Sequence, residues 1–333
     1  MTEIPTYHVL ALSGGGYRGL YTATVLAELE ATLGRPIASH FDLICGTSAG
    51  GMLALGLAAE IPAIELKDLF EKEGSRIFGS RSFLRRLLGF WLKAKHDSKG
   101  LREVLTERFG EKLIGDLKHR VLIPAVSYTT GRGQFFKTPH HPSFEFDHRM
   151  KVVDAALATA AAPVYFPLAR NSRGVFADGG LVGNAPGLFG LHEINTFIAP
   201  SRDVQVRVLS IGTMTIGATV RGDASLDRGF GKWRGGLFDL VISAQESSVD
   251  YMLKQSLGNN YFQIDDQATP DQSKDVESLD RVSKGATNTL KDRGTHAAQR
   301  SLGDPLFQPF RTHQAAAPTF YHGPYKNSVE EAC

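Results

Sequence analysis

Cysteine is nearly absent from this chain: Cys45 and Cys333 are the two among 333 residues. They form no disulfide framework, and such sparse usage suits a reducing compartment. Long apolar runs are missing as well. No stretch of about 18 apolar residues occurs, so no helix is predicted to span a bilayer. The longest candidate, Val152 to Phe166, contains Asp154 and is cut by Pro163. The first six residues, Met1 to Thr6, carry an acid and no basic region, which argues against a signal peptide. Neither sign of charge dominates. Lys and Arg number 37 against 35 Asp and Glu, a net charge of +2 that gives no support to a DNA or RNA partner. No Pro/Gly/Ser linker, internal repeat or low-complexity tract divides the chain. The expectation is a cytoplasmic protein with one domain over residues 1–333 and a sizeable core.

What the chain does have is glycine, 35 of them, and two glycine clusters fall where strand-like runs end. Phe41-Asp42-Leu43-Ile44-Cys45 leads into Gly46-Thr47-Ser48-Ala49-Gly50, and Gly51 to Glu60 then reads as a buried helix. A G-x-S-x-G between strand and helix is a nucleophile elbow, a sharp turn that exposes the serine hydroxyl above a sheet. Small neighbours such as Gly46 and Gly50 let backbone segments approach there. Ser48 would sit at a helix N-terminus, where free N–H groups favour developing negative charge. Because the chain is rich in glycine, an ordinary loop satisfies this pattern too.

The second cluster lies 30 residues earlier. Tyr7 to Leu12 reads as a first strand that runs into Ser13-Gly14-Gly15-Gly16-Tyr17-Arg18-Gly19. A largely buried helix follows from Leu20 to about Leu33, stopped by Gly34 and Pro36. Glycines at such a junction can turn uncovered N–H groups towards one point, as an oxyanion hole requires. Gly14, Gly16 and Gly19 also satisfy the dinucleotide fingerprint G-x-G-x-x-G. That reading expects an acid at the tip of the second strand, and Cys45-Gly46-Thr47-Ser48 supplies none.

A serine nucleophile needs a base. The best candidate is Asp178, framed by Phe176-Ala177 and by Gly179-Gly180, although Asp-Gly-Gly is also an ordinary turn sequence. No histidine has a comparable frame. His96, His119, His140, His141, His148, His192, His296, His313 and His322 lie mostly in polar segments and read as surface or cap residues. Ser48, Asp178 and His296 could formally supply an α/β-hydrolase triad, yet that fold places several strands before its elbow and here there is room for two. The early elbow favours a two-residue Ser–Asp apparatus.

With these residues in place, the chain resembles the patatin-like phospholipases. Gly14 to Gly19 matches that family's oxyanion motif, Gly46 to Gly50 its elbow, and Asp178-Gly179-Gly180 its acid motif. Ala158 to Pro167 (ATAAAPVYFP) resembles the family's A-T-S-A-A-P-x-Y-F-P block, and Leu209 to Thr213 its late L-S-L-G-T strand. Ala160 replaces a common serine, and Asn184-Ala185-Pro186 a usual Asn-Asn-Pro, neither of them in the dyad. The resemblance implies an α/β fold in three layers, a mostly parallel central sheet with helices on both faces. It implies phospholipase A-type hydrolysis without metal or other cofactor. Ser48 would attack, Asp178 would accept its proton, and N–H groups of Gly14, Gly15 and Gly16 would hold the oxyanion with support from Arg18. Gly19, Gly46, Gly50, Gly179 and Gly180 would shape these turns. The motifs all fall within residues 7–215.

The remainder is less patterned. Residues 76–95 carry six basic residues and no acid, with Phe83, Leu84, Leu87, Leu88, Trp91 and Leu92 on one helical face. This reads either as an interfacial anchor or lid on a phospholipid membrane, or as a surface helix packed on the core. Phe238 to Leu257 reads as a helix, Asn260 to Asp265 as a short strand, and residues 276–301 as a polar helical region. Asp265 to Asp271 lacks the ligand spacing of a calcium loop and reads as a solvated turn. Compact chains of this layout resemble the CapV-type lipase effectors of bacterial anti-phage signalling. That resemblance implies a cyclic oligonucleotide activator and a regulatory role for residues 216–333. It also implies peripheral contact with the inner membrane face. Oligomerisation is compatible with the sequence but not specified by it, and a non-catalytic lipid or nucleotide sensor or a small-ester esterase are the alternatives.

Overall fold

A computed structural model describes residues 4–79, 93–200, 203–214, 227 and 236–327. In chain order, β1 (Thr6–Leu12) is followed by α1 (Gly19–Leu33), β2 (Leu43–Gly46), α2 (Ala49–Ala58), α3 (Ala63–Phe78) and α4 (Lys99–Phe109). The middle of the chain supplies β3 (Val121–Ser127), β4 (Arg132–Lys137), α5 (Val152–Thr159), β5 (Ala169–Asn171) and β6 (Gly174–Asp178). Two short helices, α6 (Gly180–Gly183) and α7 (Gly187–Glu193), lead to β7 (Gln205–Ile211). Last come α8 (Gly236–Leu257), β8 (Tyr261–Ile264), α9 (Pro270–Val276), α10 (Lys284–Leu302) and α11 (Gln308–Thr312).

The described strands form one eight-stranded sheet in the order β5-β6-β3-β2-β1-β7-β8, with β4 beside β3. Strands β3, β2, β1, β7 and β8 run parallel, and β4, β5 and β6 join antiparallel. The central strands are apolar throughout because both faces are covered. Val9 to Leu12 and Leu43 to Cys45 are all at most 1 % exposed. Helix α2 is apolar all round and buried along its length, so it is a core helix. It packs on one face with α1, α3 and α5 in the larger apolar cluster, whereas α7 and the C-terminal half of α8 (Val249, Leu253, Leu257) face the other side of β1 and β7.

Strand β3 carries the feature that sets up the site. Its residues Leu122 to Ser127 pair along one edge with β4. The opposite edge is shared. Cys45 of β2 pairs in parallel with Leu122, and Asp178 of β6 pairs antiparallel with Ala125. Two strands therefore run towards each other along one edge and stop two residues apart, at Ile123 and Pro124. Pro124 suits the gap. Its carbonyl faces the break, and the N–H it lacks falls where no strand pairs.

Three sequence expectations need correction. The polar region 276–301 is not one helix: it breaks between Val276 and Lys284 into an irregular loop. The turn after β8 is not merely solvated, because Asp265 accepts N–H bonds from Met214 and Asp266 while Asp266 pairs with Arg293 and Arg300. The histidines are not uniformly superficial. His96 and His140 are buried against the carboxylates of Asp280 and Glu193, partners distant in sequence. The expected amphipathic segment 76–95 begins at the end of α3, and its residues 80–92 lie outside the described residues.

Candidate active site

Strand β2 ends at Gly46, and two residues later Ser48 adopts φ 53°, ψ −120° before α2 begins. Positive φ is costly for a residue with a Cβ, about 1–3 kcal/mol, and persists only where the surroundings impose it. Here the backbone is clamped on every side. Thr47 N–H donates to the Leu12 carbonyl, Thr47 Oγ1 donates to the Gly183 carbonyl, and Ser48 N–H donates to Thr159 Oγ1 at 3.0 Å. Thr159 in turn donates to Pro124, at 2.6 Å, the carbonyl that faces the gap in the sheet.

The other converging strand delivers Asp178. Ser48 Oγ donates to Asp178 Oδ2 at 2.8 Å, and Gly180 N–H donates to Asp178 Oδ1 at 2.7 Å. The carboxyl is 2 % exposed. Burial disfavours its charged form and lifts it from the ordinary aspartate range to about 7, against the two hydrogen bonds, which favour the anion. A carboxylate with a pKa near neutrality is a far better proton acceptor than an exposed one. Gly179 has no room for a side chain, since a Cβ would stand 2.3 Å from the Pro124 carbonyl oxygen. The backbone N–H groups of Asp178 and Gly179 are tied to Ala161 and Thr159, so the acid turn is locked to the end of α5.

The loop after β1 closes the third side. A Cβ on Gly14 would lie 3.0 Å from that of Ser48, so this loop touches the serine directly. Gly14 N–H is itself occupied by the Asn184 carbonyl, and Asn184 Nδ2 holds the Gly14 carbonyl from the other side. Gly15 and Gly16 N–H find no acceptor among the described residues, and the first turn of α2 leaves its N–H groups free at Ser48. Arg18 is buried and its N–H donates to the Gly15 carbonyl, and Gly19 lies against Phe70 and Ala49. The structure thus gathers Ser48, Asp178, the Gly14–Gly16 loop, Arg18 and the turn glycines Gly46, Gly50, Gly179 and Gly180 in one place. It does not bring His296 there. That residue lies on α10, among whose neighbours no strand end at the dyad is found.

The residues 10–187 match the family model for patatin-like phospholipases. The chain belongs to the patatin-like phospholipase family. It is 86% identical over its full length, and over all of the other chain, to a protein of Pseudomonas aeruginosa named cGAMP-activated phospholipase. A Vibrio cholerae protein of the same name is 37% identical, with 87% of this chain and 90% of that one covered. Among solved structures, VipD from Legionella pneumophila overlaps 93% of this chain and 67% of its own with a TM-score of 0.46 and 14% identity.

Two residues of this patatin-like site were not singled out by the sequence reading, Thr159 and Asn184. Both stand inside the quoted family blocks, which was the available signal, but their contacts are to backbone far away in sequence. Thr159→Val keeps the shape and deletes the hydroxyl that bridges Ser48 N–H to Pro124. The expected result is a loss of about 1–3 kcal/mol in stability from the stranded groups. A fall in kcat of at least about tenfold from a serine no longer held should accompany it. Thermal denaturation and steady-state ester hydrolysis check the two parts, and a full kcat would remove Thr159 from the site.

Proposed function

We propose that this chain hydrolyses fatty acyl esters of membrane phospholipids with Ser48 as nucleophile and Asp178 as general base. The observation that carries the reading is the 2.8 Å hydrogen bond from a strained, helix-capping serine to a buried carboxyl raised to about 7. As Ser48 Oγ bonds to the ester carbonyl carbon, its proton passes to Asp178 Oδ2. The oxyanion that forms is held by N–H groups of the Gly15–Gly16 loop and of the first turn of α2. Collapse expels the glycerol alkoxide, which takes the proton from Asp178 and leaves an acyl-serine. Water then gives a proton to Asp178, attacks the acyl carbon, and releases the fatty acid as Oγ recovers its hydrogen.

Identity of 86% over the full chain to a protein named cGAMP-activated phospholipase supports the same control here, a cyclic dinucleotide that switches hydrolysis on. A role in anti-phage defence follows from that kind of control. Among the described residues no helix is long and apolar enough to cross a membrane, and the encounter with lipid is proposed to take place at the protein surface. Exposed Val164, Leu168 and Leu181, in the segments flanking the acid turn, supply apolar contact for that encounter. Residues 236–327 read as part of the same unit: β8 extends the sheet, and α10 packs along α1.

The test is fatty-acid release from mixed phospholipid vesicles by the full chain, with and without cGAMP. Release should require cGAMP and fall at least about a thousandfold in Ser48→Ala, the scale seen when a serine nucleophile is removed. Undiminished release by Ser48→Ala would discard the dyad, and equal release without nucleotide would discard the switch.

A further inference from the structure

The loop between α9 and α10 makes contacts that the reaction above does not use. The Leu279 carbonyl accepts the Tyr17 N–H at 2.7 Å, immediately after the free donors of Gly15 and Gly16. The approach is backbone against backbone. Gly16 has φ +57°, and a Cβ on it would lie 2.3 Å from that same carbonyl oxygen. The Tyr17 hydroxyl also shares a hydrogen bond with Thr287, at 2.7 Å on the first turns of α10. The oxyanion loop therefore rests on the carboxy-terminal part of the chain.

The neighbouring residue, Asp280, fixes the loop. Its side chain is 2 % exposed and is surrounded by donors. Ser278 Oγ lies 2.6 Å from Oδ1, Lys95 Nζ 2.6 Å from Oδ2, and His96 Nε2 2.7 Å from Oδ2. Burial would raise this carboxyl, but the bonds from His96, Lys95 and Ser278 outweigh it and hold the group ionised below the usual carboxylate range. Lys95 and His96 are anchored in turn. Their N–H groups donate to the carbonyls of Val164 and Tyr165, both at 2.8 Å. Three residues before Val164, the Ala161 carbonyl accepts the N–H of Asp178. Val164 holds φ +73°, unusual for a β-branched residue and a sign that this junction is imposed by its partners.

We infer that Asp280 is a positioning residue for the reaction: it ties the Leu279 carbonyl to the Lys95–His96 segment and so sets where the Gly15 and Gly16 N–H groups point. This rests on the hydrolase reading above, because those donors matter only if an oxyanion forms beside Ser48. Asp280 touches neither Ser48 nor the substrate. Its effect should therefore fall on transition-state stabilisation and leave ground-state binding and the base alone.

The experiment compares wild type, Asp280→Asn, Asp280→Glu and Ser48→Ala, all as the full chain with cGAMP. Substrates are a monodisperse p-nitrophenyl butyrate solution and vesicles of phosphatidylethanolamine and phosphatidylglycerol. Asp280→Asn should lower kcat on both by roughly tenfold to a hundredfold, the scale of misplaced donors. KM for the soluble ester should stay within about twofold, and the rise of kcat/KM through pH 7 should keep its midpoint. Asp280→Glu, which keeps the charge, should recover part of the loss. A kcat within about twofold of wild type in folded Asp280→Asn overturns the inference, as does a loss confined to KM or to vesicles. Should Asp280→Asn not fold, Lys95→Gln decides on the same split, its unchanged kcat being the overturning result. Wild-type turnover that persists in Ser48→Ala would remove the hydrolase reading itself, and the two failures are thereby separable.

Discussion

Asp178→Asn should abolish hydrolysis while leaving the fold intact. The amide is the same size as the carboxyl, its Oδ1 can accept the Gly180 N–H, and its Nδ2 can donate to Ser48 Oγ. What it cannot do is accept the serine proton. A fall in kcat of at least about a thousandfold is expected, as for loss of a base that works as a unit with its nucleophile. In the wild type, kcat/KM should climb with pH and level off above about 7, where burial places the carboxyl.

The same group gives a stability signature of opposite sense. Its folded pKa lies above the unfolded value, so between about 4 and about 7 the native state holds a proton that the unfolded chain has lost. Stability from this group is therefore complete below that window and falls as pH rises through it. Asp178→Asn should remove the decline and melt at a higher temperature than wild type at pH 8. A calorimetric pH series of both proteins checks this, and a lower melting point for Asp178→Asn at pH 8 would contradict burial as the cause.

Gly50→Ala should be among the most damaging single-methyl changes near the site. The added carbon would stand 2.3 Å from the Leu12 carbonyl oxygen and 2.6 Å from that of Ser13. These are backbone atoms at the end of a central strand and of the residue that follows it, so no side chain can swing away. Helix α2 would have to lift off β1, breaking the Thr47-to-Leu12 bond that sets the elbow. A loss of about 3 kcal/mol or more is expected, in the range of overpacked cores, together with loss of measurable hydrolysis. Chemical denaturation and ester turnover measure the two effects. Near-wild-type values of both would show that α2 can move freely, against the close packing seen here.

Much of this architecture was legible beforehand, for reasons that differ by element. Strand β1, helix α1, strand β2 and helix α2 follow each other in about 50 residues, and the glycines at their junctions announce the turns. Asp178 was legible because two glycines follow an apolar run. Thr159, Asn184 and Asp280 were not, because each acts on backbone or side chains more than 100 residues away. The histidines misled for a related reason. Polar neighbours in sequence suggested exposure for His96 and His140, but a single carboxylate is enough to hold each imidazole inside, and a partner 184 or 53 residues on is invisible locally. The break at residues 277–283 was hidden by polar composition, which fits loop and exposed helix alike.

The gap in the sheet at Ile123 and Pro124 makes β3 a ruler. The serine and the aspartate approach from opposite directions, each carried on the tip of a strand measured out along the same edge. Their separation is thus graduated in whole residues, about 3.3 Å each, with side chains alternating between faces. Deleting Pro124 would drive the two tips together by one graduation and turn the acid to the wrong side. A loop can be lengthened without moving either tip, but the stretch from Leu122 to Ala125 has one permissible length.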